Sequence, residues 1–230
     1  MSDTPARDLT DPDFRKGVLD VLGALAYGEL VGFFAIVRDA EGAPEIGLRM
    51  RLAEVAVAEH SEYERLTGRI SELGGDPEAV MEPFAESFDA WHQRTQPGSW
   101  HEGLMKVYTG NSLAADFYRE IARYVDPETQ QLVADVLGRG RHVEFAAGRL
   151  REAITQDQKI AGRLALFGRR MVGEALTQAQ QVAADRDAMT ALLMGGGPGG
   201  GGADLAELAR MFARITQRHT ERMEALGLSA

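Results

Sequence analysis

The punctuation of this chain constrains it most. Long stretches of helix-forming sequence are divided only by short breaks at Ala40 to Pro44, Gly74-Gly75-Asp76-Pro77, Pro97-Gly98-Ser99 and Asp126-Pro127. Glycine closing one run, then Asp or Ser opening the next with Pro at its first position, are helix stop and start signals. They predict helices over residues 12–38, 45–73, 78–93, 99–124, 126–154, 156–193 and 204–226. Several of these exceed twenty residues and their connections are short. That combination predicts an all-α fold built as a four-helix bundle with additional C-terminal helices.

The expected organisation is a disordered N-terminus over 1–11, the bundle over 12–194, a Gly-rich linker over 195–202 and a C-terminal helix packed on the bundle over 203–230. The Gly-rich run has no strand before it and no Lys-Ser or Lys-Thr after it, so it reads as a linker and not a phosphate-binding loop. Residues 18–37 are long enough to span a bilayer, but Asp20, Glu29 and several glycines lie within them. They read as a buried bundle helix.

Composition removes several classes of function. Cysteine is absent, which excludes disulfides, thiolate catalysis and cysteine-held zinc. No serine sits in a nucleophile elbow. The net charge of −10 opposes general nucleic-acid binding, which needs a cationic face. The N-terminus is polar and lacks a signal-peptide core, so the protein is expected to be soluble and cytoplasmic, with no membrane association.

Placing residues at about 100° per position shows which polar groups fall on apolar helix faces. In the first long helix Glu29 lies among Val18, Leu22, Leu25, Phe33 and Ile36. In the second, Glu59 lies mid-stripe and Glu62 at its edge. Over 126–154, Arg139 lies within the stripe and His142 near its border. Glu174 and Gln178 interrupt the apolar side of 156–193. Asp116 and Glu120 fall towards the polar side of their helix. An inward carboxylate must be neutralised, paired or metal-bound. Two readings therefore stand: a buried network of Arg139 with Glu29, Glu59, Glu174 and Gln178, or a metal site. His60, His92, His101 and His219 read as surface residues; Trp91, His92, Trp100 and His101 flank a break and read as edge packing, with the lining of a pocket as the alternative. Met171, Met189, Met211 and Met223 read as core.

The segments Leu25-Ala-Tyr-Gly-Glu29, Ala58-Glu-His-Ser-Glu-Tyr-Glu64, Leu113-Ala-Ala-Asp-Phe-Tyr-Arg-Glu120 and Gly173-Glu-Ala-Leu-Thr-Gln-Ala-Gln180 resemble the ferritin-like di-iron carboxylate proteins. More narrowly, they are similar to the tRNA hydroxylase (MiaE-like) branch. The resemblance implies metal ligands at Glu29, Glu59, Glu62, Asp116 and His142. It also exposes two departures: Glu62 stands where the family has histidine, and Arg139 where it has glutamate. A guanidinium has no lone pair and stays charged, so Arg139 would displace a metal rather than bind one.

The resemblance with these departures implies a metal-poor or non-catalytic ferritin-like protein holding an Arg–carboxylate network, a pseudo-enzyme. The alternative it leaves open is an active metal-dependent oxygenase or hydroxylase with an altered mono- or di-metal site. Iron storage ranks behind both. The cofactor is accordingly none or iron, with a single ion on Glu59, Glu62 and His142 as the reduced form. The resemblance alone brings in tRNA as a substrate. The apolar faces of the last helices exceed what a four-helix core consumes, which predicts a homodimer.

Overall fold

The computed structural model describes residues 9–138, 141–193 and 205–229. Among these every regular element is helical: α1 Pro12–Gly42, α2 Ile46–Glu72, α3 Pro77–Arg94, α4 Trp100–Ile121, α5 Pro127–Leu137, α6 Arg141–Gln156, α7 Lys159–Asp185, α8 Asp187–Leu193 and α9 Leu205–Ala225. A single 3₁₀ turn, Ala122–Tyr124, finishes α4. The Gly-rich run 195–202 and the first eight residues lie outside the described part.

Local chemistry explains the starts. Asp11 accepts from the Asp13 amide at 3.0 Å, Asp76 from the Glu78 amide at 3.3 Å, Ser99 from the Glu102 amide at 3.3 Å and Asp126 from the Thr129 amide at 3.1 Å. Each satisfies a donor that a helix N-terminus leaves unpaired. Gly74 ends α2 at φ 77°, a left-handed conformation that costs glycine nothing.

Two of the expected helices are each divided. The run over 126–154 becomes α5 and α6, parted at Gly138. The run over 156–193 becomes α7 and α8, parted at Arg186. There Arg186 donates to the buried Asp20 of α1 at 2.5 Å and lies over the Phe84 ring. A tertiary ion pair claims Arg186, and the chain turns to deliver it.

α1 packs along α2, and α4 along α6, with α5 and α6 also meeting α2; together these form the central bundle. α3 and α8 cover α1, while α7 and α9 cover α4. α1 is long and apolar enough to cross a membrane by length and composition alone. Its Val18, Val21, Leu22 and Leu25 are instead buried against α2, α3 and α8. Met171, Met189, Met211 and Met223 are all buried.

α1 and α3 approach closely because Gly23 has no side chain. A Cβ there would lie 2.4 Å from the Val80 carbonyl oxygen and 2.7 Å from Val80 Cγ1. Alanine gains up to ~1 kcal/mol in helix propensity, but overpacking against backbone costs ~1–3 kcal/mol. Gly23→Ala should therefore lose stability. Gly148→Ala, which meets nothing within 4 Å, should gain ~0.5–1 kcal/mol. Urea denaturation of the two variants checks both signs.

Candidate functional site

Small residues recur along one side of α1, at Ala24, Gly28, Gly32 and Ala35. They leave room for a cavity of about 590 Å³ whose lining follows α1 from Ala24 to Asp39. At 1.5 Å per residue that is a path of ~22 Å. Phe88 and Trp91 of α3, Val107 and Tyr118 of α4, Val172 and Val182 of α7, and Phe212 and Ile215 of α9 supply other walls.

Glu29 opens onto this cavity from deep within the bundle, beside Glu59 and Glu62. The Glu29 and Glu59 carboxyls are hydrogen-bonded to each other. Burial, then the charges of Glu59 and Glu62, hold the Glu29 carboxyl well above its ordinary pKa. Two carboxylates this close cannot both ionise cheaply, which favours one proton held between them. Tyr118, fully buried, is likewise pushed up by desolvation and by the charge of Glu29.

The other expected ligands are engaged elsewhere. Glu62 accepts from Arg65 at 2.8 Å, and the same guanidinium reaches Asp135 of α5 at 3.0 Å. Asp116 is buried, but against α9: Arg222 lies 2.7 Å and Arg218 3.1 Å from its oxygens, with Arg119 at 3.5 Å. Glu120 beside it receives Arg214 and Arg218 at 2.9 Å and Arg123 at 3.0 Å. The helical angle that turned Asp116 and Glu120 away from the apolar side therefore agrees with where they point. That side is buried nonetheless, because α9 covers it.

Glu174 and Gln178, expected in a network with Arg139, both lie at Arg94. Glu174 is 3.7 Å from that guanidinium. With its amide oriented to satisfy both ends, Gln178 accepts from Arg94 at 3.0 Å and donates to the Ser87 carbonyl at 3.1 Å. Arg139 and the side chain of His142 lie outside the described residues. Their flanks, Gly138 and Val143, line the cavity.

Among the described residues, no group of three or more His, Asp or Glu side chains converges to hold an ion. Glu29 and Glu59 form an adjacent pair of oxygen donors. Glu62 and Asp116, which a two-metal centre would need, are neutralised by arginines.

Two residues that line the cavity, Asp39 and Lys106, escaped the reading of single helices; His92, for which a pocket lining was the alternative, joins them. Asp39 of α1, His92 of α3 and Lys106 of α4 meet at one end of it. Burial, reinforced by Lys106 and Arg38, lowers His92 to about 3, so it is neutral. Burial lowers Lys106 to about 8. His92 was expected at the surface and His219 likewise; His219 is 4% exposed on the buried face of α9, its pKa lowered to about 4 chiefly by desolvation. Trp91, expected as edge packing, lines the cavity too. The available signal was the small-residue spacing on α1, which marks a trough in place of a packed seam.

The family described as a ferritin-like domain of actinomycetes matches residues 12–196. No curated protein matches the sequence significantly. Among solved structures, the chain is similar to protein 19 with aldehyde deformylating oxidase activity from Synechococcus. The two are 19% identical, with 97% of this chain and 95% of that chain covered and a TM-score of 0.71. At that identity the likeness is one of fold.

Proposed function

From the premise that this chain belongs to the ferritin-like domain family of actinomycetes, we propose that it is a small-molecule-binding member whose two-metal centre is reduced. The carrying observation is that guanidiniums occupy two of the expected ligand positions, Arg65 at Glu62 and Arg218 with Arg222 at Asp116. Each of these ion pairs offsets the negative charge that a second cation would require. The cavity persists beside them, with apolar walls and a proton-sharing acid pair. That is the form of a ligand site: mostly apolar, with a few convergent polar groups.

A metal-dependent oxidase or hydroxylase working with one ion is the second reading. It is favoured by Glu29 and Glu59 facing the cavity side by side, and by the fold shared with a protein that has aldehyde deformylating oxidase activity. The narrower placement in the tRNA hydroxylase branch would require a polyanionic substrate, which the net charge of −10 opposes.

Metal content tests the proposal. The protein, produced with excess iron or manganese and freed of loose ions, should hold fewer than two ions per chain by elemental analysis. Two per chain would overturn the reduced-centre reading. One per chain, together with oxygen consumption that Glu59→Gln abolishes, would replace it with the mono-metal oxidase.

A further inference from the structure

The cavity has two chemically opposite ends. Glu29, Glu59 and Glu62 line it part-way along α1, whereas Arg38, Asp39, His92 and Lys106 line it about ten residues further on. At 1.5 Å per residue the two groups are ~15 Å apart along the helix. Between them the walls are Gly32, Ala35 and Ile36 of α1 and Val107 of α4, with Trp91 on α3. Such a volume suits an extended apolar body and not a compact polar one.

The far end carries a surplus of donors. The Lys106 ammonium donates to the His92 carbonyl at 3.3 Å and sits 4.9 Å from the Trp91 ring centre. Asp39 acts on it electrostatically, yet no carboxylate comes within ion-pair distance of Lys106 or Arg38 among the described residues. The Trp91 indole N–H is buried without a hydrogen-bond partner. His92, facing Lys106 from α3, is neutral. Two cations against one acid, with a spare indole donor, form an anion-selective pole, while the carboxylate end repels anions.

We propose that this cavity binds an amphipathic anion, its negatively charged head at Lys106, Arg38 and Trp91 and its apolar body extending towards Glu29. This rests on the reading of the cavity as a ligand site and names the class of ligand. A carboxylate and a phosphate head share the required chemistry. Seating the anion adds to the counter-charge that Asp39 alone supplies to Lys106, and so favours its protonated form. The other titratable groups facing it are Asp39 and Arg38 from α1 and His92 from α3, whose ring is already neutral at pH 8.

Isothermal titration of the metal-free protein with dodecanoate, dodecyl phosphate and dodecanol, each below its micellar concentration, tests this. Dodecanoate or dodecyl phosphate should bind about ten-fold or more tightly than dodecanol, the worth of one charge-assisted contact. The tighter of the two identifies the head. Lys106→Met should remove that preference and leave dodecanol binding unchanged, while Lys106→Arg should keep it. At pH 8, titrations in two buffers of different ionisation enthalpy should show proton uptake on anion binding in the wild type and none in Lys106→Met. Equal affinity for dodecanoate and dodecanol would overturn the proposal, as would an anion preference that survives Lys106→Met. Failure of dodecanol and both anions to bind would overturn it together with the ligand-site reading. Metal stoichiometry is a separate measurement and is untouched by either result.

Discussion

Replacing Arg69 with methionine is expected to destabilise the protein by about 3–5 kcal/mol, the usual cost of breaking a buried ion pair from one side. Arg69 is 8% exposed and Asp126 6% exposed. The guanidinium reaches Asp126 at 3.1 Å, Glu128 at 2.9 Å and Glu72 at 3.1 Å, and its Nε donates to the Thr129 hydroxyl at 3.3 Å. Methionine fills the space but leaves the Asp126 carboxylate buried among apolar neighbours. Asp126 is also the N-cap of α5, so its loss of a partner loosens that helix start. The consequence reaches the cavity, because Arg69 joins α2, which carries Glu59 and Glu62, to α5. Urea denaturation at pH 7 measures the loss. Arg149→Met is the control: its pair with Glu152 is exposed, and such pairs contribute ~0–1 kcal/mol. A loss at Arg69 no greater than at Arg149 would mean that the buried cluster does not join the two helices energetically.

Arg69 also shows what the sequence does and does not disclose. The breaks at Gly74-Gly75, Pro97-Gly98 and Asp126-Pro127 are legible because each acts locally, through a backbone angle or a cap a few residues away. The all-helical fold follows from that local grammar, whereas the ferritin-like family rests on the resemblance of four short segments. Partners across space are another matter. The 100° rule states which side of a helix a residue occupies, but not which helix will cover that side. Asp116 and Glu120 lie on the side away from the Glu29 pair, as their angle implies, and become buried because α9, about a hundred residues later, lays Arg214, Arg218 and Arg222 across them. The same limit applies to Glu174 and Gln178, which meet Arg94 from the end of α3. It explains Lys106 as well. Asp39, His92 and Lys106 are unremarkable on their own helices and acquire meaning only where three helices bring them together. Gly138 parts α5 from α6 within an amphipathic run that no proline marks; the glycines at 138 and 140 are its one local sign, and it lies inside an otherwise unbroken apolar stripe.

The acid pair gives the second large effect, and its sign follows from linkage. The Glu29 carboxyl is raised well above 4.5 in the folded protein by burial and by Glu59 and Glu62, whereas in the unfolded chain it titrates near that ordinary value. Above that value the folded state therefore binds more protons than the unfolded one. The stability this provides is complete below the unfolded pKa and is lost as pH rises through the folded pKa. Between the two, one proton costs up to ~1.4 kcal/mol per pH unit. Glu29→Gln cannot titrate, and its amide can still donate a hydrogen bond to Glu59. In metal-free protein kept in chelator, the variant should match the wild type near pH 4, where both side chains are neutral. It should become progressively the more stable of the two towards pH 8. Thermal unfolding across that range reads the difference directly. A gap that stays constant with pH would show that Glu29 is ionised in the fold, compensated by a cation, and that the shared proton does not exist. A gap that opens the other way, with the variant losing stability as pH rises, would mean that the carboxylate itself holds the cavity end together.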